Sequence, residues 1–81
     1  MVTAGQIAIT DAIYSEAKRQ GLTPTQFAER AGKDHNTVYL VRRNGNIGIH
    51  LLLDFLKALD GRLIIENKKG ERILCWTSKG T

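Results

Sequence analysis

The stretch Leu22-Thr23-Pro24-Thr25-Gln26-Phe27 leaves little freedom in how this chain can fold. Thr23 can take the N-cap position, where its hydroxyl oxygen accepts from the third residue of a helix and Gln26 reaches back to the cap. Pro24 then falls at the first helical position, where its missing N–H costs nothing and its fixed φ suits the helix. Leu22 before the cap and Phe27 at the fourth position can close a hydrophobic staple. Phe27, Ala28 and Ala31 give this helix one apolar face, and Gly32 ends it. Asp34, two residues later, can cap a further helix over His35 to Arg43, closed by Asn44-Gly45-Asn46.

The rest of the chain supplies what those two helices need. Ile9, Ile13 and Ala17 recur every four residues from about Ala4 to Gln20, with Lys18 and Arg19 in the last turn and Gly21 beyond, which predicts a first helix. Leu52, Phe55, Leu56 and Leu59, with Leu51 and Leu53 alongside, predict a fourth helix buried on more than one side and followed by Gly61. The period then changes. Arg62 to Glu66 and Glu71 to Thr77 alternate and are rich in β-branched and large residues, with Asn67 and Gly70 as turn residues between them. The expected fold is mainly α with a small β-hairpin: a four- to five-helix domain over residues 1–60, a two-stranded antiparallel ribbon over 61–77, and a tail at 78–81. Leu63 and Ile65 face one way and Ile64 the other; on the return strand Ile73 and Cys75 oppose Leu74 and Trp76. One apolar face can lie on the helices, and the other needs a cover.

At 81 residues the chain is one small domain, and such a chain buries only about 60% of the surface its unfolded form exposes, so a partner subunit is plausible. A single cysteine, Cys75, allows no intrachain disulfide. No apolar run reaches about 18 residues, and the N-terminus lacks the basic-then-apolar pattern of a signal peptide, so a cytoplasmic protein with no membrane role is expected. Lys and Arg outnumber Asp and Glu by 12 to 8. The excess is local: residues 15–45 hold Lys18, Arg19, Arg30, Lys33, Arg42 and Arg43 against Glu16, Glu29 and Asp34. That favours a polyanionic partner without specifying one.

The helix over His35 to Arg43 narrows the choice. Val38 and Val41 point inward, and the opposite direction carries Asn36, Tyr39, Leu40 and Arg43, with His35 and Arg42 on a flank. An amide can pair bidentately with adenine, arginine with guanine or phosphate, and leucine can touch a thymine methyl; tyrosine can donate to phosphate or pack on a sugar. A capped helix, a Gly-containing turn and a second helix with such a face is the helix-turn-helix layout, whose second helix enters the major groove.

The segment from Gly21 to Gly45, followed by Leu51 to Leu59, resembles the lambda-repressor/Cro-like helix-turn-helix family of transcriptional regulators. The matching positions run from Gly21, Leu22, Thr23, Phe27, Ala28, Ala31 and Gly32 through Thr37, Val38 and Val41 to Leu52, Phe55, Lys57, Ala58 and Leu59; the resemblance spans residues 13–60. It implies base contacts from His35, Asn36, Tyr39 and Leu40, and DNA-backbone contacts from Thr23, Thr25, Gln26, Arg42 and Arg43. Beyond Leu59 the chain looks like members, antitoxins and Cro-type repressors among them, that end in strands and dimerise through them. Here that element would use Leu63, Ile64, Ile65, Ile73, Leu74 and Trp76. The expected protein is a sequence-specific double-stranded DNA-binding regulator, a repressor acting as a homodimer on an inverted repeat. The alternative is an antitoxin-type protein that holds a partner toxin and autoregulates its operon.

Plainer readings compete at each position. Tyr39 and Leu40 can be ordinary exposed residues or pack under the 44–48 loop; Asn36 can merely assist the cap; Arg42 and Arg43 suit a helix C-terminus whatever the function. His35, His50 and Cys75 offer no metal-ligand spacing, and no cofactor is expected. No paired carboxylates stand on a recognisable frame, so an enzyme is the weakest class. With no ligand-binding domain, no small-molecule effector is expected.

Overall fold

The computed structural model describes residues 2–78, in which four helices precede a two-stranded antiparallel sheet: α1 Ala4–Arg19, α2 Pro24–Ala31, α3 His35–Asn44, α4 Ile49–Ala58, β1 Arg62–Glu66 and β2 Arg72–Thr77. Four is the helix count among the described residues; the tail assigned to 78–81 lies, apart from Ser78, outside them.

The capping box at Thr23 forms as its spacing dictates. The Thr23 Oγ1 accepts from Gln26 N at 3.2 Å, and Thr23 N donates to Gln26 Oε1 at 2.9 Å. The same Thr-x-x-Gln box opens α1, with Gln6 N donating to Thr3 Oγ1 at 3.1 Å and Thr3 N to Gln6 Oε1 at 2.9 Å. Asp34 occupies the N-cap position of α3, but its side chain makes no capping hydrogen bond. Between α2 and α3 the chain reverses through Gly32 at φ +68°, ψ +30°, a left-handed conformation that costs a side-chain-bearing residue roughly 1–2 kcal/mol.

The core is built around three rings. Phe27 and Phe55 lie 4.8 Å apart between centroids, and the Tyr14 ring meets both edge-on at 5.5 and 5.7 Å. Ile13, Ala17, Ala28, Ala31, Val38, Val41, Ile47, Ala58 and Leu59 complete the buried cluster. On α1 the buried positions are Thr10, Ile13 and Ala17, and Ile9 is exposed, contrary to the expectation of an Ile9–Ile13–Ala17 stripe. Residues four apart advance about 40° around a helix beyond a full turn, so a stripe of that spacing drifts off the core within two steps. Thr10 is tolerated inside because its hydroxyl donates to the Gln6 carbonyl at 2.8 Å.

The loop between α3 and α4 packs on the start of α1. Ile47 is buried, and Gln6 Nε2 donates to its carbonyl at 3.1 Å. Tyr39 and Leu40 therefore do not serve as its support; both are exposed.

α4 leaves the core through Asp60, at φ +56°, and Gly61, whose N–H donates to the Leu56 carbonyl at 2.8 Å. A side chain at 61 would approach Leu56 Cδ2 to 3.0 Å, which favours glycine there. Leu63 pairs with Trp76, Ile64 with Cys75 and Ile65 with Leu74; Glu66 then pairs with Arg72, which leaves Ile73 as the extra residue of a β-bulge. Asn67 Oδ1 accepts from Lys69 N and Glu71 N at 2.9 and 3.0 Å and so shapes the turn. The ribbon does not lie flat on the helices as expected. Only its base is shielded, Leu63 through the approach of β1 to α4 and Trp76 beside Leu53 of α4, while Ile64, Ile65, Ile73, Leu74 and Cys75 are exposed. α4 is ten residues long and its apolar side is taken up by the ring cluster, so it has little left to offer a sheet face.

No helix among the described residues is long and apolar enough to cross a membrane, and no group of three or more His, Cys, Asp or Glu gathers there in a metal-binding arrangement.

Candidate nucleic-acid interface

α3 presents its polar side because Val38 and Val41 are fixed in the core. Val38 is 2% exposed and Val41 7%, against 56% for Tyr39 and 42% for Leu40. Asn36, His35, Arg42 and Arg43 are also exposed. The Asn36 side chain makes no hydrogen bond with the described residues, and neither Arg43 nor His35 has an ion-pair partner among them. Leu40 and Tyr39 thus expose apolar surface beside the Asn36 amide and the Arg43 guanidinium.

Arg42 is less free than Arg43. Its Nη1 stands 3.3 Å from Asp11 Oδ1, and its guanidinium carbon lies 5.8 Å from the Tyr14 ring centroid. Both partners are on α1, so Arg42 is drawn back along the flank. The pair is exposed on both sides, so water and salt weaken it and a phosphate can compete for the guanidinium. Lys33, in the turn, is pinned by Asp54 of α4 at 2.8 Å, and Arg19 by Glu16 at 2.7 Å. Lys18 carries no such partner among the described residues.

Thr23 and Pro24 at the start of α2 border the same groove as His35, Tyr39 and Arg42. Thr23, Thr25 and Gln26 are exposed. In the capping box the Thr23 oxygen is an acceptor, so its own proton is available to donate; Gln26 is bound through Oε1, so its amide N–H groups remain available. These are the donors that a phosphate oxygen takes, at a helix end whose dipole also favours an anion.

Tyr14 ties the two helices together, and sequence reading missed it. Its hydroxyl donates to the Val38 carbonyl at 2.7 Å, in the middle of α3, while its ring packs on Phe27 and Phe55. Burial pushes its pKa from 10.0 to about 12, against the opposing pull of Arg42, so the hydroxyl keeps its proton in the physiological range. No spacing rule links residues 14 and 38; a tyrosine beside Ile13 on a partly apolar helix face was the only sign.

Between Tyr14 on α1, the start of α2 and the flank of α3 runs an open groove of about 720 Å³. Its floor is apolar, with Leu22, Phe27 and Val38, and Lys18, His35 and Arg42 stand at its rim.

No family model, no curated protein and no solved structure matches the chain. The functional reading therefore rests on this geometry and on the residues themselves.

Proposed function

We propose that this protein is a helix-turn-helix regulator that binds double-stranded DNA sequence-specifically, as a homodimer on an inverted repeat, with α3 in the major groove. The observation that carries the reading is the exposed set Asn36, Tyr39, Leu40 and Arg43 on α3, a mixture that suits base edges, a thymine methyl and phosphate. His35 stands at the N-terminal end of α3, where side chains of a groove-bound helix reach bases. Thr23, Thr25 and Gln26 at the start of α2, with Arg42 and Arg43, take the DNA backbone. Repression follows most simply, since a dimer seated on a promoter excludes polymerase. The cytoplasm is the compartment in which such a protein meets DNA.

The two-fold comes from the hairpin. Its uncovered apolar residues and free strand edges suit pairing with an identical chain, and a two-fold pairing closes once. Copies of α3 about 34 Å apart would then meet successive major grooves. The same uncovered surface supports a second reading, an antitoxin-type protein whose hairpin is covered by a toxin; a stable hetero-complex on purification from the native cell, rather than a homodimer, would favour it.

The test is selection of bound sequences from random duplex DNA, followed by titration of the recovered site at several salt concentrations. Expected are an inverted repeat and a log–log salt slope of about −4 to −8, as when a dimer neutralises a few phosphates per subunit. No measurable duplex binding at low salt would end the reading.

A further inference from the structure

We propose that the groove between α1, α2 and α3 binds a small amphipathic anion, an aryl or medium-chain acyl carboxylate, and that this ligand displaces duplex DNA from α3. The binding site stands on the groove alone; the displacement rests on the DNA reading above. It departs from the expectation that a chain without a separate ligand-binding domain answers to no small molecule.

The volume, about 720 Å³, falls within the roughly 300–1,000 Å³ of sites for small organic ligands. The floor offers surface and no polar handle. Phe27 and Val38, each 2% exposed, close it from below. Its apolar surface comes from Leu22, Pro24 and the Tyr14 and Tyr39 rings, and the Tyr14 hydroxyl is committed to the Val38 carbonyl. The floor therefore takes the apolar body of a ligand.

The rim takes a negative charge. Lys18 and Arg42 stand there with His35, and no acidic side chain lines the groove itself. Arg42 is shared with Asp11 of α1 just outside it, which leaves Lys18 as the cation without an ion-pair partner among the described residues. The hydroxyls of Ser15 and Thr23 add donors along the same edge. A cationic rim over a hydrocarbon floor fits a carboxylate on an apolar body better than a neutral compound, which leaves the rim unused. It also fits better than a phosphate group alone, which leaves the floor wet.

Coupling to DNA follows from shared residues. His35, Tyr39 and Arg42 line the groove and belong to the α3 surface assigned to DNA, so ligand and duplex cannot both take them. Linkage makes the effect reciprocal: duplex weakens the ligand by the factor by which ligand weakens duplex.

The experiment titrates the isotope-labelled full-length protein, without DNA, with 3-phenylpropionate and octanoate, and with the matching alcohols, while backbone amide signals are followed by NMR. Saturable shifts at Ala17, Leu22 and Val38, stronger for the acids than for the alcohols, are expected. Lys18→Gln, an exposed change whose spectrum reports its own folding, should weaken the acids about three- to fivefold and leave the alcohols unchanged. Absence of saturable shifts, shifts confined to the hairpin, or equal response to acids and alcohols overturns the site. A second arm adds the acids to a preformed duplex complex. Release of duplex supports displacement, and unchanged duplex affinity at a ligand concentration that saturates the groove overturns displacement. If the protein binds no duplex at all, the DNA reading fails and the ligand titration still decides the site.

Discussion

Asn36 and Arg43 stand two turns apart on the exposed side of α3, and in the proposed complex they would address different parts of a duplex. A base-reading amide contributes discrimination, so Asn36→Ala should cost about 1–3 kcal/mol on the preferred site and relax the preference at one base pair. Leu40→Ala should cost less and act at a thymine. Arg43→Ala should weaken all sequences alike and flatten the salt slope by about one unit per site, as loss of a phosphate contact does. Titration of each variant against specific and random duplex separates them; equal losses from Asn36→Ala on both would show that this face does not read bases. Tyr14 acts from behind. The folded chain holds its proton to about 12 and the unfolded chain releases it near 10.0. Above the lower value the unfolded state has lost a proton that the folded state keeps, so rising pH favours unfolding. This contribution is complete below pH 10.0 and is lost as pH rises through about 12. Tyr14→Phe should remove that part of the alkaline fall in stability and the high-pH part of the tyrosinate absorbance titration.

At the scale of elements, local rules account for what the sequence made legible. The box at Thr23 was read from its spacing, whereas the same spacing at Thr3 went unread, and the glycine between α2 and α3 follows from chain reversal. Gly32 isolates that last effect, because a Cβ there would meet nothing within 4 Å and only its φ of +68° resists substitution. Gly32→Ala should therefore destabilise the fold by roughly 1–2 kcal/mol, and Gly32→Asn by less, since asparagine enters the left-handed region more readily. Urea unfolding of the two variants checks it; equal losses would mean that the turn relaxes by another route. The exposure of Asn36, Tyr39, Leu40 and Arg43 was legible in the same way, from helical geometry opposite Val38 and Val41. What was not legible depends on partners distant in the chain. Arg42 meets Asp11 and Tyr14 meets Val38 across 31 and 24 residues, and no local pattern announces either. Alternation in β1 and β2 gave the hairpin and its two faces, yet it carries no information on what those faces meet, and so the outward stance of the ribbon had to come from the structure.

Across the whole molecule, the distribution of apolar surface is what motivates the proposed dimer. The ring cluster closes the helical part, whereas the outer half of the hairpin leaves Ile65 and Leu74, each 44% exposed and paired across the strands, beside Ile73 at 67%. A lone two-stranded ribbon is marginal in water, so an uncovered one gains from a second copy. Replacing the Ile65–Leu74 pair by Ile65→Lys with Leu74→Glu keeps a favourable cross-strand contact while it puts two charges into the proposed interface. Both positions are exposed, so the helical part should keep its unfolding midpoint. Sedimentation should then find the parent chain dimeric and the double variant monomeric at tens of micromolar, a range in which weak dimers form. The variant should bind a single half-site as the parent does and lose most of its advantage on the two-half-site repeat, because only the dimer presents both copies of α3 at once. A parent chain that stays monomeric over that range, or a double variant that still dimerises, would reduce the hairpin to a cap on α4.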